Sequence, residues 1–286
     1  MLINPRQVPP RQMPPLLVPG IPRVLHQIWI GPAPLPHEDA DWAAGLRALH
    51  PAWGYRLWTD ADLPGLWAFD PFGLRAAFEL AHNYGYQSDL LRLLILWLYG
   101  GVYLDTDCEG LAPLDPLLVG CDAFLGATFQ PQPHEGIYIE NAVMGAAPRH
   151  PFLLQVLTKL AAQSASWPAR GAPLAAGTPK TGLGTLDTVY LTGPGMLSSA
   201  LDEYRRAPGV NGAGLSCPLA LLSDVAVIPP RYLYAHLPDW GMAPAAQTGP
   251  SEARIRHHWG GKWFQDEWQG DGTQNGSAGP GYAAAE

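Results

Sequence analysis

The sequence predicts an α/β fold, and three observations indicate this class. Apolar runs of strand length alternate with runs of helix length through the first half of the chain. The almost wholly apolar run 90–98 is followed by Gly100-Gly101 and then at once by the strand-like run 102–104, which is the order helix, stop, strand. Hydrophobic residues make up 47% of the 286 residues and charged residues 15%, so the chain is globular rather than disordered.

The first elements alternate in the order strand, helix, strand. Residues 23–31 (RVLHQIWIG) predict a strand because they are rich in apolar residues and end at a Gly-Pro pair. Residues 37–50 predict a helix, since acids occupy the first turn and basic residues the last, which suits the helix dipole. Residues 54–59 predict the second strand.

Two helices and the buried run follow. Thr59 or Asp60 is expected to cap a short helix that ends at Trp67, and residues 73–83 predict another helix. The run 90–98 is apolar nearly all round, which predicts a buried helix. Further on, the sequence predicts strands over 102–104, 122–129, 136–146 and 224–230, helices over 150–165 and 193–206, and a Pro/Gly/Thr-rich loop over 168–184.

One domain, residues 21–268, is expected between two ends of biased composition. Residues 1–20 are Pro-rich and predict an extended N-terminal arm. Residues 269–286 are Gly-rich and polar and predict a flexible C-terminal tail.

Charge and cysteine content limit the partners and the compartment. A net charge of −8 argues against nucleic acid, whose binding needs a basic surface. Cys108, Cys121 and Cys217 form no CxxC pair and are odd in number, as expected of reduced thiols. No run reaches the ~18–20 apolar residues that span a bilayer. We therefore expect a cytoplasmic protein that binds no nucleic acid and has no transmembrane segment, with peripheral membrane association compatible with the sequence.

The stretch GGVYLDTDCEG, residues 100–110, carries the strongest functional signal. The acids Asp105, Asp107 and Glu109 stand at alternate positions directly after an apolar strand. In an extended segment the side chains of Asp105 and Asp107 would point the same way, ~6.6–7 Å apart. One carboxylate could then hold a divalent cation while the other reaches a sugar or ribose hydroxyl. A D-x-D motif alone also occurs by chance in solvated turns.

Two other functions fit the same acids. A calcium loop of the form D-x-D-x-[DN]-G needs a bidentate Glu at position twelve, where this chain has Pro116, and a helix before the loop. A phosphohydrolase resembling the haloacid dehalogenase superfamily would use Asp105 as its nucleophile. A binding module for calcium or sugar without catalysis is the third alternative.

A charged pair on the buried helix favours the cation-and-sugar hypothesis. Asp89 and Arg92 are three residues apart and therefore share one face of the helix. Charges on an otherwise apolar helix are costly unless they pair or face a ligand cleft. A structural ion pair is the simpler interpretation of these two residues alone, but a D-x-D motif close behind them favours a shared polar cleft.

The segment YGYQSDLLRLLILWLYGGVYLDTDCEGL resembles the D-x-D-containing sugar-binding region of glycosyltransferase family 32, which includes α-mannosyltransferases, polysaccharide enzymes and the catalytic domains of glucosylating toxins. Three more segments agree: IPRVLHQIWIG, IENAVMGAAPRHPFL and HHWGGKW. In the last of these, Lys262 replaces the family's usual Ser. The resemblance covers residues 21–264, with gaps in the middle.

This resemblance implies roles for particular residues. Trp29 would stack on the nucleotide base. Of the adjacent His257 and His258, which point different ways, at most one should bind metal, and His258 is chosen. The donor-binding set is Trp29, Asp89, Arg92, Tyr103, Asp105 and Trp263, the catalytic set is Asp105, Asp107 and Asn141, and the metal ligands are Asp107, Asp105 and His258.

The resemblance also implies a GT-A glycosyltransferase fold, with a Rossmann-like nucleotide-binding half and a variable acceptor half. The expected enzyme is a retaining glycosyltransferase that depends on Mn²⁺ or Mg²⁺. It would move a hexose from a UDP- or GDP-linked sugar to a hydroxyl of a glycan, a polysaccharide precursor or another acceptor. No residue of the sequence stands out as a nucleophile.

Overall fold

A computed structural model describes residues 20–81, 83–129, 138–164, 188–206, 221–222, 224–235 and 252–260. The N-terminal arm apart from Gly20, the loop 168–184 and the tail 269–286 lie outside the described residues. So do Cys217, Lys262 and Trp263.

The described residues form one large mixed sheet and one small sheet. The strands are β1 (Val24–Ile28), β2 (Gly54–Trp58), β3 (Gly101–Leu104), β4 (Cys108–Gly110), β5 (Ala123–Phe129), β6 (Tyr138–Ala146), β7 (Leu221–Leu222), β8 (Val225–Ile228) and β9 (Ile255–His257). The large sheet has the order β2-β1-β3-β6-β5-β8-β7, and β4 pairs with β9 in a separate two-stranded sheet. The α/β class predicted from the sequence is therefore confirmed.

The direction of β6 decides where the polar residues meet. Strands β2, β1 and β3 are parallel, whereas β6 runs antiparallel to β3, with Leu104 opposite Val143. The end of β3 thus lies beside the middle of β6, and the chain beyond it meets the first half of β6. The chain continues past β3 with the Asp105 amide bonded to the carbonyl of Ala142 at 2.9 Å. This arrangement brings Asp105 and Asn141 to the same edge of the sheet.

Helices cover the sheet. They are α1 (His37–Leu49), α2 (Leu63–Trp67), α3 (Leu74–Leu80), α4 (Tyr84–Tyr99), α5 (Pro151–Ser164), α6 (Pro194–Arg206) and α7 (Pro230–Leu233). Short 3-10 turns occupy Asp60–Asp62 and Asp115–Leu118, and one π-helical turn occupies Thr188–Thr192. None of the described helices is long and apolar enough to cross a membrane.

The buried helix α4 is the centre of the core. It lies in an apolar cluster that also contains Tyr103 of β3, whereas Val102 and Leu104 belong to a second cluster. Because side chains alternate along a strand, the two clusters occupy opposite faces of β3. The helix ends as predicted at Gly100, whose φ of +63° is a conformation that glycine adopts without strain.

The structure differs from the prediction at several elements. Helix α3 ends at Leu80 instead of continuing to residue 83, because Asn83 caps the next helix and its Oδ1 accepts from the amide of Tyr86 at 2.8 Å. Strand β8 ends at Ile228, since Pro230 begins α7. The sequence analysis did not predict the small β4–β9 sheet. Cys108 and Cys121 are buried, and among the described residues neither forms a disulfide.

Candidate active site

A buried ionic network joins helix α4 to the D-x-D motif. Arg92 Nη2 lies 3.1 Å from Asp89 Oδ1, and Arg92 Nη1 lies 3.2 Å from Asp105 Oδ1. The local fold explains this meeting. Tyr103 points toward α4, and Asp105, two residues further along the strand direction, follows it to the same face. The pair Asp89–Arg92 is therefore more than an isolated ion pair, because it extends to the motif.

Asp89 is held by protein donors at both carboxylate oxygens. Asn141 Nδ2 donates to Asp89 Oδ1 at 2.7 Å, and Thr192 Oγ1 donates to Asp89 Oδ2 at 2.9 Å. Arg92 Nη1 also donates to the carbonyl of Asn141 at 2.7 Å. The network thus draws on α4, β6 and the π-helical turn at once.

The surroundings of Arg92 keep its guanidinium positively charged. Burial raises the pKa of Asp89 to about 6, although Arg92 and the hydrogen bonds from Thr192 and Asn141 lower it. Burial alone would lower the pKa of Arg92, but the carboxylate of Asp105 and, less strongly, Tyr103 and Asp89 raise it above its usual range. The guanidinium therefore stays charged and compensates its two carboxylate neighbours.

Two residues orient Asp105 from the sheet side. The Tyr103 hydroxyl donates to Asp105 Oδ1 at 2.6 Å, and its ring lies under the Arg92 guanidinium, 4.6 Å from ring centre to Cζ. Tyr103 is almost wholly buried, so its contact is with Asp105 rather than with an open cleft. Gln27 Nε2 donates to the carbonyl of Asp105 at 3.1 Å. Sequence reasoning missed Gln27.

The two aspartates of the D-x-D motif converge through a turn. The amide of Cys108 donates to the carbonyl of Asp105 at 3.2 Å. The segment therefore forms a turn, whereas the sequence predicted an extended segment. His257 Nε2 lies 4.0 Å from Asp105 Oδ2 and 3.1 Å from Asp107 Oδ1. The amide of Gly260 donates to Asp107 Oδ2 at 2.8 Å. Both carboxylates therefore face the segment 257–260.

The structure places His257, and not His258, against the motif. His258 Nε2 lies 3.1 Å from Glu109 Oε2, and its ring stacks on Trp42 at 4.0 Å between ring centres. The cause is the β4–β9 pairing, in which His257 stands opposite Cys108 and its side chain turns inward. The alternation Ile255-Arg256-His257 was the sequence signal for this orientation, since apolar Ile255 and His257 share a face.

His257 is buried and electrostatically tied to the motif. Burial alone would lower its pKa, but the hydrogen bond with Asp107 and the charges of Asp107 and Asp105 raise it. The Trp259 ring lies 4.0 Å from the His257 ring, and Trp259 has a φ of +52°, which is unusual for a bulky residue. The segment that carries His257 is thus fixed in a specific conformation beside the carboxylates.

Glu140 is a further buried acid that sequence reasoning missed. It is 6% exposed and accepts from the amide of Asn141 at 3.1 Å. Burial raises the pKa of Glu140 to about 7, while His257 lowers it. Strand β6 is buried at almost every position, so the usual alternation of polar and apolar residues could not show which face Glu140 occupies.

Trp29 lies just beyond the end of β1 and is partly exposed. Its amide donates to the carbonyl of Trp58 at 2.9 Å, and its indole Nε1 donates to the carbonyl of Ala33 at 2.8 Å. These bonds fix the indole at the end of the parallel strands. Trp263, the other aromatic donor-binding candidate, lies outside the described residues.

The donor set beside the motif fits a divalent cation. Carboxylate oxygens of Asp105 and Asp107 and the imidazole of His257 are ligand types that Mn²⁺ accepts, and the carboxylates suit Mg²⁺ as well. The ligand atoms of Asp107, Cys108 and His257 lie within 4.8 Å of one another. Burial raises the pKa of the Cys108 thiol well above its usual range, so Cys108 is protonated in the absence of a metal. Thiolate is also a softer ligand than Mn²⁺ and Mg²⁺ prefer.

Comparison with known proteins finds a family and several proteins that are similar to the region containing these residues. Residues 36–122 match the family described as "Glycosyltransferase sugar-binding region containing DXD motif". Inositol phosphoceramide mannosyltransferase 3 of Schizosaccharomyces pombe is 32% identical over 189 residues, which are 66% of this chain and 47% of that protein. Mannosyl phosphorylinositol ceramide synthase SUR1 of Saccharomyces cerevisiae is 34% identical over 158 residues, covering 51% of this chain and 36% of that protein.

The chain spans less than half the length of these curated relatives. Among solved structures, PaToxG glycosyltransferase is similar with a TM-score of 0.45 and 16% identity, covering 67% of this chain and 72% of that chain. The UDP-bound glycosyltransferase domain from the YGT toxin has a TM-score of 0.43 and 11% identity, covering 73% and 79%. The sequence matches confirm the resemblance stated above: residues 36–122 match the family of glycosyltransferase sugar-binding regions that contain a DXD motif.

Proposed function

We propose that this chain transfers a hexose, with mannose as the first candidate, from a nucleoside diphosphate sugar to an acceptor hydroxyl. The observation that carries the proposal is the continuous buried network from Asp89 through Arg92 to Asp105, with Asp107 and His257 directly beyond it. A network that joins sugar-binding polar groups to a cation site is what a nucleotide-sugar donor requires. The choice of mannose is supported by the names of the mannosyltransferases to which the chain is similar.

Each residue has a distinct task in this proposal. Asp105, Asp107 and His257 would hold Mn²⁺ or Mg²⁺. Such an ion, when bound, takes up negative charge on the leaving diphosphate. Asp89 would accept hydrogen bonds from sugar hydroxyls, with Arg92 and Asn141 fixing its orientation. Trp29 would stack on the base at the end of the parallel strands.

The proposed reaction retains the anomeric configuration. Among the described site residues, the two candidates nearest to a nucleophile's role are already held: Asn141 donates its amide to Asp89, and Asp89 is bonded at both oxygens. The acceptor oxygen would therefore bond to the anomeric carbon on the face from which the diphosphate departs. The bond from that carbon to the diphosphate oxygen breaks, and the acceptor proton passes to the diphosphate.

A panel of donors tests the function directly. We expect UDP-, GDP- or dTDP-sugars to raise the melting temperature of the protein in the presence of Mn²⁺, with one nucleotide clearly preferred. The preferred donor should then support transfer to an added hydroxyl acceptor, with the product anomer identified by NMR. If no nucleotide sugar binds and beryllofluoride instead forms an adduct on Asp105, the chain is a phosphohydrolase and the proposal is overturned.

Asp89→Ala separates sugar recognition from nucleotide recognition. We expect the folded variant to lose most of its affinity for the nucleotide sugar while the nucleoside diphosphate still binds, because base and diphosphate contacts remain. Calorimetric titration of both ligands measures the two affinities. Equal losses for both ligands would remove Asp89 from the sugar site.

A further inference from the structure

We propose that Thr192 is a positioning residue that holds Asp89 in the orientation required for donor-sugar recognition, an inference that rests on the proposed function. Thr192 is the last residue of the π-helical turn Thr188–Thr192 and is 1% exposed. It lies 103 positions along the chain from Asp89 and outside the segment that matches the family. Neither the D-x-D motif nor the pattern around it assigns this residue a role.

The two oxygens of the Asp89 carboxylate accept hydrogen bonds from different residues. Oδ1 receives Asn141 Nδ2 at 2.7 Å and Arg92 Nη2 at 3.1 Å, whereas Oδ2 receives Thr192 Oγ1 at 2.9 Å. A carboxylate held at one oxygen alone can rotate about its Cβ–Cγ bond. A donor at each oxygen fixes the plane of the group. Thr192 therefore determines where the remaining lone pairs of Asp89 point.

The hydroxyl of Thr192 has two acceptors within reach. The second is the carbonyl of Thr188 at 3.2 Å, which is the longer contact. A hydroxyl donates one proton, and the shorter distance and the charge of the acceptor favour Asp89. The Thr192 hydroxyl therefore donates to Asp89 in preference to the carbonyl of Thr188 in its own turn.

A hydrogen bond from the residue that caps helix α4 holds the π-helical turn Thr188–Thr192 in place beside Asp89. Asn83 Nδ2 donates to Thr188 Oγ1 at 3.0 Å, and Asn83 is the residue that caps α4. At Gly193 the backbone passes so close that an added Cβ would lie 3.2 Å from Asp89 Oδ2. π-helical turns are rare and occur frequently at functional sites. The turn therefore fits against the same helix that carries Asp89, at a position where a side chain on residue 193 would intrude.

The consequence concerns selectivity between ligands that differ only by the sugar. A nucleoside diphosphate does not need Asp89, so its affinity does not depend on the orientation of that carboxylate. A nucleotide sugar does need it. Loss of the Thr192 hydroxyl should therefore reduce affinity for the sugar-bearing ligand selectively.

Three variants test the inference. Thr192→Val removes the hydroxyl and nearly keeps the shape, Thr192→Ser restores the hydroxyl, and Thr158→Val is a control that removes a threonine hydroxyl bonded to the carbonyl of Leu154 in helix α5. Calorimetry in Mn²⁺ with the pairs GDP and GDP-mannose, and UDP and UDP-glucose, gives the affinity ratio of sugar to diphosphate for whichever pair the wild type binds. Steady-state assays give KM and kcat.

We expect Thr192→Val to lower the affinity ratio by roughly tenfold to 100-fold, the cost of losing one hydrogen bond from the sugar to the misoriented Asp89 carboxylate. The loss should fall mainly on KM for the donor. Thr192→Ser should return the ratio to within about threefold of wild type, and Thr158→Val should leave it near the wild-type value. Circular dichroism and melting curves check folding. If Thr192→Val does not fold, Thr192→Ala carries the same comparison.

An unchanged ratio in folded Thr192→Val, an equal loss for both ligands, or the same selective loss in Thr158→Val would each overturn the role of Thr192. The proposed function would survive these results, because the wild type would still bind and transfer the sugar. A wild-type protein that binds no nucleotide sugar in any pair would overturn the function itself and this inference with it.

Discussion

Arg92 Nη1 lies 3.2 Å from Asp105 Oδ1, so helix α4 is bonded directly to the first aspartate of the D-x-D motif. The same guanidinium also pairs with Asp89, and one permanent cation therefore compensates two carboxylates. Both sides of this contact belong to rigid elements, the helix and the end of β3. The relative position of sugar-binding and cation-binding groups is thus set by the core rather than by a loop.

Removal of the shared guanidinium should destabilise the protein strongly. We expect Arg92→Met to lower the free energy of unfolding by roughly 3–5 kcal/mol, because two carboxylates would lose their buried partner. Urea unfolding at pH 7 measures the loss. Arg75→Met is the matched control: Arg75 and Glu79 are more than 60% exposed, so removing that pair should cost under about 1 kcal/mol. Similar losses in both variants would contradict the prediction.

Loss of one charge at the motif should abolish metal-dependent turnover. Asp107→Asn keeps the shape and removes the charge that holds the cation, so we expect transfer in Mn²⁺ to fall by about 100-fold or more. Wild-type activity should vanish in EDTA and return with Mn²⁺. Glu109→Gln is the control, since Glu109 bonds Arg256 and His258 instead of facing His257. Full turnover in EDTA would rule out the metal.

The two adjacent histidines should behave differently. His257→Ala should weaken Mn²⁺ binding by at least about tenfold, because His257 Nε2 lies beside Asp107. His258→Ala should change Mn²⁺ affinity little, since His258 contacts Glu109 and Trp42. Titration of Mn²⁺ followed by electron paramagnetic resonance measures both affinities. A larger loss of Mn²⁺ affinity in His258→Ala than in His257→Ala would support His258, the metal ligand predicted from the sequence.

Trp29 should contribute to nucleotide affinity independently of the sugar. Trp29→Ala should weaken binding of the nucleoside diphosphate and the nucleotide sugar alike, by about 1–3 kcal/mol, the range for stacking of a base on an aromatic ring. Trp53→Ala is a control at another partly buried tryptophan, whose indole lies 3.4 Å from Asp115 Oδ1. Loss of sugar transfer with undiminished diphosphate affinity would exclude Trp29 as the stacking residue.

Glu140 should make stability depend on pH. Burial raises its pKa from 4.5 to about 7 in the folded protein, so the folded state binds the proton more tightly than the unfolded state. This contribution to stability is complete below pH 4.5 and is lost as the pH rises through about 7, a change of roughly 3 kcal/mol. In EDTA, urea unfolding of Glu140→Gln should show a shallower decline than wild type over this range. Parallel curves would contradict the assignment.

The sequence predicted those parts of the site that depend on local pattern. Asp89 and Arg92 share a helix face by spacing alone, and the apolar helix, the glycine stop and the strand follow one another without a gap. The rest depends on pairing between distant segments. His257 is set against the motif by the β4–β9 register, of which the sequence carries only the short alternation Ile255-Arg256-His257. Thr192 reaches Asp89 through tertiary packing of the π-helical turn, which leaves no periodic trace in the sequence.

The pairing of β4 with β9 affects the order in which the site forms while the protein is synthesised and folds. Glu109 and Arg256 are joined across 147 positions, and contacts of such long range carry a high loop-closure cost and form slowly. During synthesis from the N-terminus, the residues around Asp89, Arg92 and Asp105 leave the ribosome long before His257 does. A nascent chain can therefore bury its arginine and aspartates while the imidazole and the Gly260 amide that complete the surroundings of Asp107 do not yet exist. Capture of a cation at the full set of ligands thereby becomes a late event in synthesis, and a polypeptide truncated before residue 252 would keep the residues of the apolar cluster around α4 yet lack His257.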